Sequence, residues 1–138
     1  MKYMILTYAS QLDYDAMSGQ ATDPPLWTMA DFAAMGAFME SFNQELAASG
    51  ELVETRALNA PALTRRVQVR GGAAMVTDGP YAETQEVLAG YWIVECSSFD
   101  RATEIAAKFA DCPGPESVRS RAVADVRPLA DSRDELGF

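Results

Sequence analysis

The chain has 138 residues, 49% hydrophobic and 22% charged, which is the composition of one globular domain and not of a disordered chain. Its 11 basic and 20 acidic residues give a formal net charge of −9; that balance argues against non-specific nucleic-acid or anionic-membrane binding, both of which rest on neutralising phosphate. Histidine is absent, which removes the usual neutral-pH acid–base, the Ser-His and Cys-His nucleophile pairs and most zinc sites.

The opening MKYMILTYASQ has one Lys before an apolar run that Tyr3, Thr7 and Tyr8 interrupt. No small-residue cleavage site follows, so no signal peptide is expected. No apolar run approaches the roughly 18 residues a membrane span needs. Cys96 and Cys112 have neither CxxC nor zinc spacing. They read as reduced thiols of a cytoplasmic protein, Cys96 as a small buried hydrophobe within an apolar strand and Cys112 as a loop thiol beside Pro113. No cofactor or metal is expected.

Lys2 to Tyr8 is a predicted strand, with Tyr3, Ile5 and Thr7 on one face and Met4, Leu6 and Tyr8 on the other. Apolar groups on both faces mark a central strand covered on both sides. The polar stretch 11–25, with Gly19 and Pro24-Pro25, reads as a loop. In the helix that follows, Phe32, Met35, Met39, Phe42 and Leu46 form one apolar stripe that Phe38 widens. Thr28 with Asp31 caps its start and Gly50 ends it. The stripe reads as a core face; a ligand groove is the sharper alternative.

Glu51 to Leu58 is a second strand, punctuated by Ala60-Pro61. Leu63 to Arg70 and Ala73 to Thr77 flank Gly71-Gly72 as a hairpin. Ala82 to Leu88 reads as a short helix closed by Gly90. Tyr91 to Cys96 is the most hydrophobic strand, with Tyr91, Ile93 and Glu95 on one face. Ser98 caps a helix whose buried side is Ala102, Ile105, Ala106 and Phe109. Pro113-Gly114-Pro115 terminates it. Ala122 to Arg127 is the last strand, stopped by Pro128. The domain is expected over 1–129, and 130–138 is a mobile acidic tail carrying Asp131, Asp134 and Glu135.

This order is β-α-β, an inserted hairpin and short helix, then β-α-β: an α+β, ferredoxin-like arrangement with two helices on one face of an antiparallel sheet. The strands at 2–8 and 91–96 are apolar on both faces, so the other face would be a large exposed patch. A second copy related by two-fold symmetry is its simplest cover. The expectation is a homodimer with facing sheets, a dimeric α/β barrel.

The distinctive motif is Val76-Thr77-Asp78-Gly79-Pro80-Tyr81-Ala82-Glu83-Thr84-Gln85-Glu86. Asp78 and Gly79 leave the hairpin in a tight turn, Pro80 suits a first helical turn, and Glu83 and Glu86 share one side of a short helix. One reading is structural, with Asp78 holding backbone N–H groups. The other makes Asp78 a carboxylate at a cavity mouth beside the free N–H groups of a helix start, able to bind an anion.

This segment resembles the DGPF signature of the YCII-related family, in which AETKE follows. The likeness extends through Ala89-Gly90-Tyr91-Trp92 and Phe99-Asp100-Arg101-Ala102 to Val126-Arg127-Pro128-Leu129. Lys2-Tyr3-Met4 and Ala48-Ser49-Gly50 also fit. Tyr81 stands in place of Phe, and Gln85 in place of Lys. The resemblance implies the dimeric α/β barrel, with a cleft between sheet and helices or at the dimer interface. Some relatives use a His-Asp pair; without His that mechanism does not transfer, and Asp78 would be its surviving member. The resemblance also implies an extracytoplasmic-function sigma-factor context, hence a regulatory, non-catalytic alternative.

Glu95 shares a face with Tyr91 and Ile93, and Asp125 and Arg127 share one with Val123. If these faces coincide, Glu95, Asp125 and Arg127 meet over the sheet, to line a cavity or to fix dimer register. Arg65, Arg66 and Arg70 are the basic cluster, a solvated face or an anion-steering one. The sequence therefore points to a small polar or anionic ligand held near Gly79, Pro80, Tyr81, Glu83, Tyr91, Glu95 and Arg127. Asp78 is the candidate catalytic group, and whether the chain is an enzyme stays open.

Overall fold

The computed structural model describes residues 1–19 and 27–138. Four strands, β1 (Lys2–Ala9), β2 (Leu52–Ala57), β5 (Val87–Glu95) and β6 (Ala124–Pro128), form one sheet in the order β2-β5-β1-β6. Every pairing in it is antiparallel. β3 (Arg65–Arg70) and β4 (Ala73–Asp78) make a separate two-stranded hairpin. The helices are α1 (Gln11–Met17), α2 (Met29–Ser49), α3 (Phe99–Ala107) and the single turn α4 (Glu116–Arg119). The architecture is α+β, an antiparallel sheet with helices and an inserted hairpin.

The core forms where two periodicities meet. Tyr3 and Ile5 of β1 and Trp92 and Val94 of β5 alternate inward with period two. Phe42 and Leu46 of α2 and Ala102, Ile105 and Ala106 of α3 descend on them with helical spacing. Phe109, just beyond α3, locks the layers together. Its ring centroid lies 4.7 Å from that of Phe42 and 4.8 Å from that of Trp92. The buried Trp92 indole is satisfied, donating from Nε1 to Asn43 Oδ1 at 2.7 Å.

Local signals set the helix ends. At α2, Thr28 Oγ1 accepts from the Asp31 N–H and the Asp31 carboxylate accepts from the Thr28 N–H, and Gly50 closes it at φ +80°. Ser98 caps α3 through the Arg101 N–H. The Arg101 guanidinium reaches back to both carboxylate oxygens of Glu51, at 2.9 and 2.8 Å. This fork–fork pair holds the start of α3 to the entry of β2 and lowers the Glu51 pKa.

Several sequence expectations are corrected. The predicted loop 11–25 contains α1; residues 20–25 lie outside the described residues. Ser10 and Asp13 cap α1 reciprocally, a signal that the polar composition of QLDYDAM conceals. The predicted helix Ala82–Leu88 does not form. A turn closes from the Gln85 N–H to the Ala82 carbonyl, and β5 already begins at Val87. Pairing of Val87 and Leu88 with Ala9 and Tyr8 outweighs a two-turn helix, whose nucleation cost would go unrewarded. α4 follows the expected terminator Pro113-Gly114-Pro115, in a stretch where no element is expected. The last strand starts at Ala124, not Ala122. Opposite β1 the ladder steps from Thr7–Gly90 to Tyr8–Leu88, so Ala89 is an extra residue in β5. At the tail, Asp134–Leu136 forms a short 3-10 turn.

Two substitutions test this account. Asn43→Ala removes the acceptor of a buried indole N–H and should cost about 1–3 kcal/mol in urea unfolding. Glu51→Gln removes a carboxylate whose pKa is lowered below the ordinary 4.5. The wild-type advantage over this variant should be full above that ordinary value and fade as pH falls through the lowered one, giving a shallower acid limb in the variant's pH–stability curve.

Candidate functional site

The Asp78 turn folds as a surface corner. Gly79 takes φ +54°, a conformation that suits glycine, and its N–H donates to the Thr64 carbonyl at 2.8 Å. Asp78 ends β4 with its side chain 74% exposed, paired to Arg65 at 2.9 Å. No helix starts at Pro80, so the expected anion-binding helix terminus is absent there and Glu83 and Glu86 do not share a helical side. Tyr81 sits under the Arg66 guanidinium, 5.3 Å from ring centroid to Cζ. The Glu83 carbonyl accepts from the Leu12 N–H, which ties this segment to α1.

The cavity lies elsewhere. A cleft of about 700 Å³ opens on the helix side of β1 and β6. Met35 and Met39 of α2 line one wall, Ala106, Ala107 and Phe109 another, and Cys112 to Gly114 with Val118 and Arg119 a third. Thr7, Tyr8, Ala124 and Val126 come from the sheet, and Asp13 and Met17 from α1. Asp78, Gly79, Pro80 and Tyr81 do not line it. The α2 stripe thus divides: its C-terminal half, Phe42 and Leu46, is core, while Met35 and Met39 face the cleft.

Trp27 is the principal aromatic of this cleft. It stacks on Phe32, centroids 5.1 Å apart. Its ring edge passes so close to Gly114 that a Cβ there would come within 3.2 Å. The indole Nε1 is buried and has no hydrogen-bond partner among the described residues. Burial also pushes the Cys112 thiol pKa upward, away from the thiolate that reactivity requires.

Arg121 braces the cleft from behind. It donates to the Asp13 carboxylate at 3.4 Å, to Glu86 Oε1 at 2.9 Å and to the Ser117 carbonyl at 2.8 Å. One side chain therefore joins α1, the segment before β5 and α4.

The open sheet face carries the remaining predicted residues. Met4 pairs with Ile93 and Leu6 with Tyr91 in its centre. Arg127 lies opposite Met4 and Asp125 opposite Leu6, and Lys2 lies opposite Glu95. Glu95, Asp125 and Arg127 do share this face, but β1 separates Glu95 from the other two, so they form no cluster. Glu95 instead lies 3.6 Å from the N-terminal ammonium. Asp125 accepts from the Tyr8 hydroxyl at 2.7 Å, a bond that raises the Tyr8 pKa. Among the described residues, no group of three or more Cys, Asp or Glu is placed to hold a metal ion, and no helix is long and apolar enough to cross a membrane.

Residues 1–127 match the YCII-related domain. The chain belongs to the YCII-related family. It is also similar to an uncharacterized protein of Rhizobium meliloti, 38% identical over 60 residues; that match covers 43% of this chain and 44% of the relative. The family match spans both the Asp78 corner and the cleft of this YCII-related domain.

Trp27, Asp13 and Arg121 escaped the sequence reading. Only Ser10-x-x-Asp13, a capping spacing, was there to find; nothing local links Arg121 to a residue 108 positions away. Their weights should differ from that of Asp78. Asp78→Asn loosens an exposed pair and should change stability by less than about 1 kcal/mol. Arg121→Ala leaves the buried Asp13 carboxylate short of a charged donor and should cost about 1.5–3 kcal/mol, read by chemical denaturation of both variants.

Proposed function

We propose that this YCII-related protein is a homodimeric small-molecule-binding protein whose ligand occupies the Trp27 cleft. The observation that carries the reading is the cleft itself. Its volume of about 700 Å³ falls within the roughly 300–1,000 Å³ of small-molecule sites. Methionine and aromatic side chains supply an adaptable apolar wall. The buried Trp27 N–H has no acceptor among the described residues, and a small rotation of the indole would offer it to a carbonyl or similar group on the ligand. Among the described residues, Asp13 and Glu116 line the cleft against Arg119 alone, while Arg121 is already engaged. These charges favour a mainly apolar, uncharged molecule over the anion expected at the Asp78 turn.

Dimerisation is supported by the open sheet face. The strand order matches a ferredoxin-like protomer, with α2 and α3 on one face only. Met4, Leu6, Tyr91 and Ile93 then form an apolar centre rimmed by Glu54, Arg56, Asp125 and Arg127. A second sheet laid on this face gives the dimeric α/β barrel, an apolar contact with a charged rim.

A thermal-shift screen of neutral ketones, lactones, halogenated aromatics and small acids tests the ligand. A binder at one hundred times its Kd should stabilise the protein by about 2.7 kcal/mol. Ala107→Trp, at an exposed position on the cleft wall, should abolish that shift; the same shift surviving in this variant would move the site elsewhere. Ile93→Lys should convert the dimer to monomer in sedimentation velocity.

A further inference from the structure

The β3–β4 hairpin is exposed at every position of both strands. Its register sorts the side chains onto two faces. Val67 opposes Val76 and Val69 opposes Ala74 on one face; Arg66, Gln68 and Arg70 oppose Thr77, Met75 and Ala73 on the other. Val67, Val69 and Val76 are 61%, 76% and 57% exposed. A two-stranded ribbon alone in water is marginally stable at best, and a β-branched face left to solvent is a contact surface without its partner.

Charge indicates the partner. Of the 20 acidic and 11 basic residues, Asp78 and Arg65, Arg66 and Arg70 belong to the hairpin, leaving 19 acidic against 8 basic in the rest of the chain. The hairpin is therefore a net-positive arm on a strongly negative body. The base of the arm is held by the Gly79 N–H bond to Thr64 and by Arg66 over Tyr81. A second copy offers an oppositely charged body to this arm, and two-fold symmetry would satisfy that complementarity twice.

We propose that the hairpin is a clasp that lays its Val67, Val69 and Val76 face on a second copy of this chain. The clasp rests on the homodimer reading but uses a surface distinct from the open sheet face. Two expectations follow. Backbone amides of residues 65–78 become protected only when the dimer forms. The positive arm also offsets the repulsion between two copies that each carry −9 overall, so loss of its charge weakens the dimer most at low salt.

Hydrogen exchange of the full chain, followed across protein concentrations that span dimer dissociation, tests this. Protection over 65–78 should rise in step with the dimer fraction from sedimentation. Val69→Asp, at a position too exposed to disturb the protomer, should raise the dimer dissociation constant about tenfold or more. Replacing Arg70 by Ala should raise the dissociation constant more at low salt than at high salt. Equal exchange in monomer and dimer, or an unchanged dissociation constant in Val69→Asp, overturns the clasp. If Ile93→Lys dissociates the dimer and Val69→Asp does not, sheet pairing stands and the clasp falls. If only Val69→Asp dissociates it, the clasp stands and sheet pairing falls. A chain monomeric at every concentration overturns both.

Discussion

The packing of Phe109 against Phe42 and Trp92 is the contact on which the rest of the structure depends. It joins the end of α3, the middle of α2 and the central strand β5 through ring centroids 4.7 and 4.8 Å apart. Offset and tilted aromatic pairs add to the burial of their area. On one side of Phe109 the interior is closed, with Ile5, Leu46, Val94 and Ile105 fully buried. On the other the same ring lines the cleft. Core and cavity are thus continuous, divided by one side chain, and the cleft inherits its rigidity on that side from the core.

Opposite Phe109 the cleft has a different character. Its far walls come from short pieces, α1, α4 and the Cys112–Gly114 turn, held by Arg121 and by the Trp27–Gly114 contact. One boundary is set by dense apolar packing and the other by a branched set of hydrogen bonds. Groups of the second kind open more readily than core segments do, so the Arg121 side is the less rigid wall of the cleft.

The sequence made the sheet and its two large helices legible, because Tyr3, Ile5, Trp92 and Val94 alternate cleanly and Phe42 and Leu46 keep helical spacing. The hairpin was equally plain from Gly71-Gly72. Short elements were not. α1 depends on a reciprocal cap at Ser10 and Asp13, and the Ala82–Leu88 stretch has helical composition yet yields to strand pairing with β1. The site was harder still. The Asp78 motif attracted the functional reading because its turn chemistry is dense, but such chemistry serves the corner itself through Gly79 and Arg65. Trp27, Arg121 and Asp13 carry weight through contacts across the chain, which no local pattern records.

The extra residue at Ala89 has a consequence for how this chain tolerates change in length. Removing Ala89 would leave Gly90 opposite Thr7 and Leu88 opposite Tyr8 in an unbroken ladder, erase the bulge with its local bend, and displace the carbonyl that accepts from the Leu58 N–H and the Tyr14 hydroxyl. Replacing Ala89 by another small residue would leave the step in place. At this point of the sheet the bend follows from a residue count more than from a residue type, and loop grafts or shortened variants that are to keep the bend must keep that count.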